Sequence, residues 1–177
     1  GDRPCQISFD NARVPAENIL GGLGRGFEFA QKWITIGRLG QAAKALGVAE
    51  RAVEMSARYA ASRVIGGEPL GERQAIQAML ADSLVEIYAT RLMLHDAARK
   101  MDQGQEMRNE SYMTKLFANE MAGRVLDRAI QIHGARGLTR ALPLERWYLD
   151  IRSRRITEGA SEVMRWVIAR NYFREVK

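Results

Sequence analysis

Disulfides, metal clusters and membrane spans all lack raw material in this sequence. One cysteine, Cys5, cannot form an internal disulfide, so nothing asks for an oxidising compartment. Only two histidines occur, His95 and His133, and neither has Cys, His or a carboxylate at metal-ligand spacing. The Glu-x-x-His pattern of di-iron bundles is missing around Glu86 and Glu120, so no metal site is expected. No GxSxG nucleophile elbow is present. No apolar run approaches the length that spans a bilayer, and Gly1-Asp2-Arg3-Pro4 does not begin a signal peptide. A soluble, intracellular protein is the expectation, cytoplasmic or, in a eukaryote, mitochondrial. Aromatics are scarce at 7%, and the 4 prolines leave long proline-free reaches on either side of Pro69.

What remains is abundant alanine and methionine, a balance that favours helix over sheet. At 177 residues, with 46% hydrophobic and 27% charged side chains, the chain can bury a proper core as one domain plus a short appendage. Its net charge of +6 suits an anionic ligand, but the basic residues are interleaved with acids along the helices. No basic stripe with interspersed aromatics marks a nucleic-acid surface.

The start alternates apolar Cys5, Ile7 and Phe9 with Gln6 and Ser8, the period of a half-buried strand. A lone strand lacks ladder partners. Residues 1–24 therefore read as the end of a β-domain and a linker, and residues 25–177 as a helical domain. The glycines of 21–26 read as a flexible turn, because the GxGxxG spacing and strand-turn-helix setting of a dinucleotide fingerprint are missing.

The pattern then predicts helices at 27–63, 72–101, 107–132, 142–151 and 161–174. Their apolar faces are Ile36, Leu39, Ala43, Leu46, Val53, Ala57 and Ala60 in the first, and Leu80, Leu84, Ile87, Leu94, Ala98 and Met101 in the second. The third presents Met113, Phe117, Met121, Val125, Ala129 and Ile132. Gly66-Gly67-Glu68-Pro69 stops the first helix, and Gly40 and Gly47 within it leave room for a neighbouring helix or ligand. Three long helices and a shorter last one specify an all-α, up-down four-helix bundle.

Three places invite a functional reading beside a structural one. Glu158 is a carboxylate followed by Gly159 on a loop between helices, with Arg152, Arg154 and Arg155 leading in. A carboxylate partly desolvated there becomes a usable base. The structural alternative is a helix start, with Ser161 as N-cap and Glu162 facing the positive end of the dipole. Arg63 either complements a helix C-terminus or contacts a phosphate. Residues 131–137 are either a helix cap or a loop whose glycines let a ligand reach the backbone.

Together these pieces resemble the C-terminal half of the acyl-CoA dehydrogenases, flavoenzymes that desaturate acyl-CoA thioesters. The resemblance runs over nearly the whole chain on five motifs in family order. These are residues 14–21 (VPAENILG), Tyr59-Ala60-Ala61-Ser62-Arg63 with Gln74 beyond it, residues 131–137 (QIHGARG), residues 144–150 (LERWYLD), and Ile156-Thr157-Glu158-Gly159. It implies FAD as cofactor and Glu158 as the base that removes the thioester α-proton while the β-hydride passes to the flavin. In some members the base stands before the arginine of the first long helix; that position is Gly37 here, which cannot act. Arg38 and Gly159 then lie by the substrate. The resemblance also places Arg63, Gln74, Gln131, Gly134, Ala135, Gly137, Ala160 and Glu162 around FAD, several of them on a neighbouring subunit's flavin. A homodimer or homotetramer follows, with acyl-CoA as substrate and an electron-transfer flavoprotein or similar acceptor. Gly66-Gly67 in place of Phe-Gly, Ala135 for a second glycine, Ala160 for threonine and Thr157 for an aromatic depart from the family pattern. They bear on flavin affinity and substrate class and leave the carboxylate in place. A flavin-dependent oxidase or monooxygenase of the same superfamily, or a non-catalytic assembly domain, are the rival readings.

Overall fold

A computed structural model describes residues 5–107 and 109–177. Residues 1–4, read above as no signal peptide, lie outside the described residues. Five helices carry the fold: α1 Gly26–Ser62, α2 Gln74–Asp102, α3 Glu110–His133, α4 Leu144–Arg154 and α5 Ser161–Glu175. The sequence places all five to within about three residues, because Gly, Pro and polar turn residues flank each run.

Cross-helix pairs fix the directions. Arg91 on α2 meets Glu50 on α1 at 2.7 Å while Gly71, just before α2, lies against Ala60 near the end of α1. Arg124 on α3 meets Glu86 on α2 at 3.1 Å while Lys100 meets Glu110 at 2.8 Å, so neighbours in sequence run antiparallel. Arg38 over Tyr112 and Tyr59 against His133 set α1 parallel to α3. α5 runs back along α3, Ser161 on Glu120 and Asn171 on Asn109. The result is the expected all-α up-down bundle, with α4 laid across α3.

Between α1 and α3 the core is alanine-rich, with Ala42, Ala45, Ala49 and Ala52 facing Ala118, Ala122 and Ala129, all buried. Such small side chains let two helix backbones come close, and Met121, Val125 and Leu126 fill the remaining volume. Leu126 is fully buried. Leu126→Ala should cost about 3 kcal/mol in denaturant unfolding, the transfer of the lost methyls plus the cavity they leave.

Several expected details differ. Residues 5–9 are exposed and form no strand among the described residues, where they meet no β-ladder to join. Ile36 and Leu84 are 61% and 56% exposed, and Ala43 and Ala57 also face solvent. Their helices bury a neighbouring face instead. Gly66-Gly67-Glu68-Pro69 is more than a stop: Val64–Ile65 (β1) pairs antiparallel with Glu68–Pro69 (β2). Gly66 and Gly67 take φ of +65° and +88°, the left-handed pair a two-residue hairpin turn needs. No atom of the described residues outside α1's own backbone approaches within 4 Å of where a Cβ would stand at Gly40 or Gly47, so their smallness serves no contact among those residues. No helix among the described residues is long and apolar enough to cross a membrane. No group of three or more His, Cys, Asp or Glu among them could hold a metal ion.

Candidate active-site loop and cofactor end

Glu158 sits between α4 and α5 in a loop fastened to α3 at several points. Arg155 reaches Glu120 at 2.6 Å, and Ser161 Oγ donates to the same carboxylate at 2.7 Å. Burial opposes the charge on Glu120, but bonds from Ser161 and Arg155 outweigh it and hold the carboxyl below its usual range. The backbone N–H of Ser161 donates to the carbonyl of Arg155 at 3.1 Å, closing the loop on itself. The expected N-cap therefore fails. Ala160 holds the cap position and Ser161 is the first helical residue, its hydroxyl engaged by Glu120.

The loop's backbone is held in an unusual shape. Glu158 has φ +54° and Gly159 φ +106°. The left-handed region is steric strain for a residue with a Cβ, of order 1–3 kcal/mol, and persists only where surroundings over-determine it. What it achieves is to aim the carboxylate at α1. Glu158 Oε2 is buried, has no hydrogen-bond partner, and lies 2.9 Å from where a Cβ at Gly37 would stand. Residues 121 positions apart in sequence thus meet (158 − 37). Any side chain at position 37 would collide with the carboxylate.

Beside this meeting point the walls are cationic and aromatic. Arg38 is 6% exposed, its guanidinium 4.0 Å above the Tyr112 ring, with Nε and Nη1 buried and unpartnered. Lys115, one turn along α3 from Ser111 and Tyr112, is 1% exposed. Its Nζ donates to the carbonyls of Thr157 at 2.5 Å and Gly159 at 2.8 Å, one on each side of Glu158. The sequence reading missed Lys115. A signal was available: it stands in register with Ala118, Ala122, Val125 and Ala129, at helical spacing on the buried face of α3.

The remaining candidates gather elsewhere. Arg63 caps the C-terminus of α1, Gln74 opens α2, and Gln131 to Gly137 close α3. Because α1 and α3 are parallel and α2 antiparallel, these three ends coincide. The Tyr59 and His133 rings stack with centroids 4.6 Å apart, and His133 Nδ1 bonds the Ala129 carbonyl at 2.8 Å. Gly134 takes φ +59°, ending α3 in a turn. Gly137 is buried, and a Cβ there would stand 3.0 Å from the backbone of Ile130. Arg63, Gln74, Gln131, Gly134 and Ala135 are exposed, and the Arg63 guanidinium has no partner among the described residues. Ala160, half-buried, and Glu162, exposed in the first turn of α5, belong to the Glu158 end. Arg38 and Arg63 are 25 residues apart on α1 (63 − 38), or about 38 Å at 1.5 Å per residue. The expected site residues therefore form two clusters, not one.

The family model "Acyl-CoA dehydrogenase, C-terminal domain" matches residues 24–173. The chain belongs to the acyl-CoA dehydrogenase family. It is 41% identical over 165 residues to 3-(aryl)acrylate reductase of Clostridium sporogenes, covering 93% of this chain and 44% of that one. Against the mitochondrial short-chain specific acyl-CoA dehydrogenase of Rattus norvegicus it is 39% identical over 173 residues, covering 98% of this chain and 42% of the other. A chain from the structure described as "Electron transferring flavoprotein of Acidaminococcus fermentans: Towards a mechanism of flavin-based electron bifurcation" superposes with a TM-score of 0.90. It shares 37% identity and covers 94% of this chain and 44% of that chain. The chain thus spans less than half the length of these relatives.

Proposed function

We propose that this domain supplies the catalytic base and part of the FAD site of a longer flavoenzyme that interconverts an acyl-CoA thioester and its α,β-unsaturated counterpart. The observation that carries this is the orphaned, buried Oε2 of Glu158, held in a strained loop opposite a residue with no side chain. A free carboxylate oxygen in that setting is an acceptor awaiting a proton. The two curated relatives above point to the same bond, one named as an acrylate reductase and the other as an acyl-CoA dehydrogenase.

The residues fit a flavin in two respects. At the far end of the bundle the unpaired Arg63 guanidinium suits a pyrophosphate, and the Gly134 turn leaves backbone open beside it. FAD, when bound, supplies the acceptor for the β-hydrogen. Glu158 takes the α-proton on its unpartnered oxygen, and Gly37 leaves the carboxylate room. Arg38, whose Nε and Nη1 are unpartnered, lies by the substrate's CoA portion, and Gly159 beside its acyl group. Ala160 and Glu162 line the flavin near the base. Gln74, Gln131, Ala135 and Gly137 join Arg63 around the distal part of a flavin. The two clusters are about 38 Å apart along α1, further than one dinucleotide reaches, so each serves a different flavin. That arrangement is met in a homodimer or homotetramer, with acceptor electrons leaving through an electron-transfer flavoprotein.

In the complete flavoprotein, Arg63→Ala removes a charge-assisted contact to phosphate of about 1.5–3 kcal/mol. FAD affinity should fall roughly tenfold to a hundredfold. An unchanged flavin content after purification and dialysis would count against the assignment.

A further inference from the structure

We infer that Lys115 is a positioning residue for this reaction: its buried ammonium, bonded to the carbonyls of Thr157 and Gly159, holds the Glu158 loop in its strained form. The inference rests on Glu158 being the base.

Four observations converge on it. Lys115 is 1% exposed, and lysine is almost never so buried without a purpose that offsets desolvation. Its partners are two backbone carbonyls flanking a single residue, and no carboxylate is bonded to it among the described residues. Those two carbonyls belong to the peptides on either side of the two left-handed residues, Glu158 and Gly159. Pulling both carbonyls onto one ammonium turns the intervening Glu158 side chain the other way, toward Gly37 on α1. The bonds thus select the conformer that a Glu would otherwise avoid.

The Lys115 ammonium also has charged neighbours. The charged groups facing it are Glu158 from the loop and Arg38 from α1. Burial, with repulsion by Arg38, pushes the Lys115 ammonium down to about 8 despite the attraction of Glu158. It is still mostly charged at neutral pH and so keeps its donors for the two carbonyls. Among the described residues the bonds of the Lys115 ammonium go to the two loop carbonyls and none to the Glu158 carboxylate, so it acts through the loop.

The test uses the complete flavoprotein with Lys115→Met, which keeps length but loses every donor, and Lys115→Gln, which keeps donors but loses charge. Two readouts are followed, amide hydrogen exchange of peptides spanning residues 155–161 and the separate values of kcat and KM with a short-chain acyl-CoA. In Lys115→Met, loop exchange should rise about tenfold or more while α1 and α3 peptides hold. Its kcat should fall on the order of 10²-fold with little change in KM, as expected for a base displaced by a fraction of an ångström. Lys115→Gln, which still offers donors to both carbonyls, should lose less than about tenfold in kcat. Lys115→Gln should retain most of the loop protection.

Wild-type loop protection in Lys115→Met would overturn the inference. So would a loss in Lys115→Met confined to KM with kcat unchanged, and if Lys115→Met fails to fold, a loss of kcat of about a hundredfold in Lys115→Gln with its loop still protected would do the same. Exchange needs no turnover. A loosened loop in a protein that is inert toward every thioester would therefore overturn the dehydrogenase reading and leave the clamp standing.

Discussion

Replacing Glu158 by glutamine should reduce turnover of an acyl-CoA thioester on the order of 10³-fold while leaving the flavin bound. The amide has nearly the volume of the acid, so the loop keeps its shape, its contacts through Lys115 and Ser161 being to backbone and to Glu120. What is lost is an oxygen able to hold a proton. In the native protein that oxygen is Oε2, buried and without a partner, whereas no other carboxylate oxygen among the described residues is both buried and unpartnered. Stopped-flow measurement with a saturating thioester checks this. Retained turnover within a few-fold of wild type would place the base elsewhere.

Gly37→Ala should have the second-largest effect, and it separates function from folding. Position 37 lies inside α1 with ordinary helical backbone, where alanine is favoured over glycine by about 1 kcal/mol. Yet the new methyl would stand 2.9 Å from Glu158 Oε2, closer than real carbon–oxygen contacts allow. The flexible carboxylate must give way. A shift of this kind in a reacting group costs on the order of 10²-fold in rate. The expected result is therefore an unfolding midpoint equal to or above wild type together with kcat reduced about a hundredfold. Equal loss of stability and activity would mean that position 37 matters for packing alone.

Much of this arrangement is legible in the sequence because helices are local objects. Gly26, Gly66, Gly104 and Gly134 punctuate the chain, and the 3.6-residue period between them fixes each helix to within a turn. The Glu158 loop also stands out locally, as a carboxylate before glycine between two helical runs. Which face each helix buries is read less well. Ile36 and Leu84 satisfy the periodicity but stay exposed, covered by no other helix among the described residues. An apolar stripe shows only that something covers it. Lys115 escaped because its role depends on two backbone carbonyls some forty residues away, and backbone groups carry no sequence signature. Ser161 misled for a related reason: a hydroxyl at a helix start has an N-cap as its local choice, and Glu120 from a distant helix outbid it. The separation of the candidates into two clusters is likewise a property of helix direction, visible only once α1 and α3 are seen to be parallel.

The most direct test of the central claim is the visible absorbance of the flavin in the complete protein as short-chain acyl-CoA thioesters are added without oxygen. The expected result is bleaching of the oxidised flavin band by at least one thioester in the wild type, and an unaltered band in Glu158→Gln with FAD still bound. Bleaching that survives in Glu158→Gln, or a wild-type protein that binds FAD and is bleached by none of them, would contradict it.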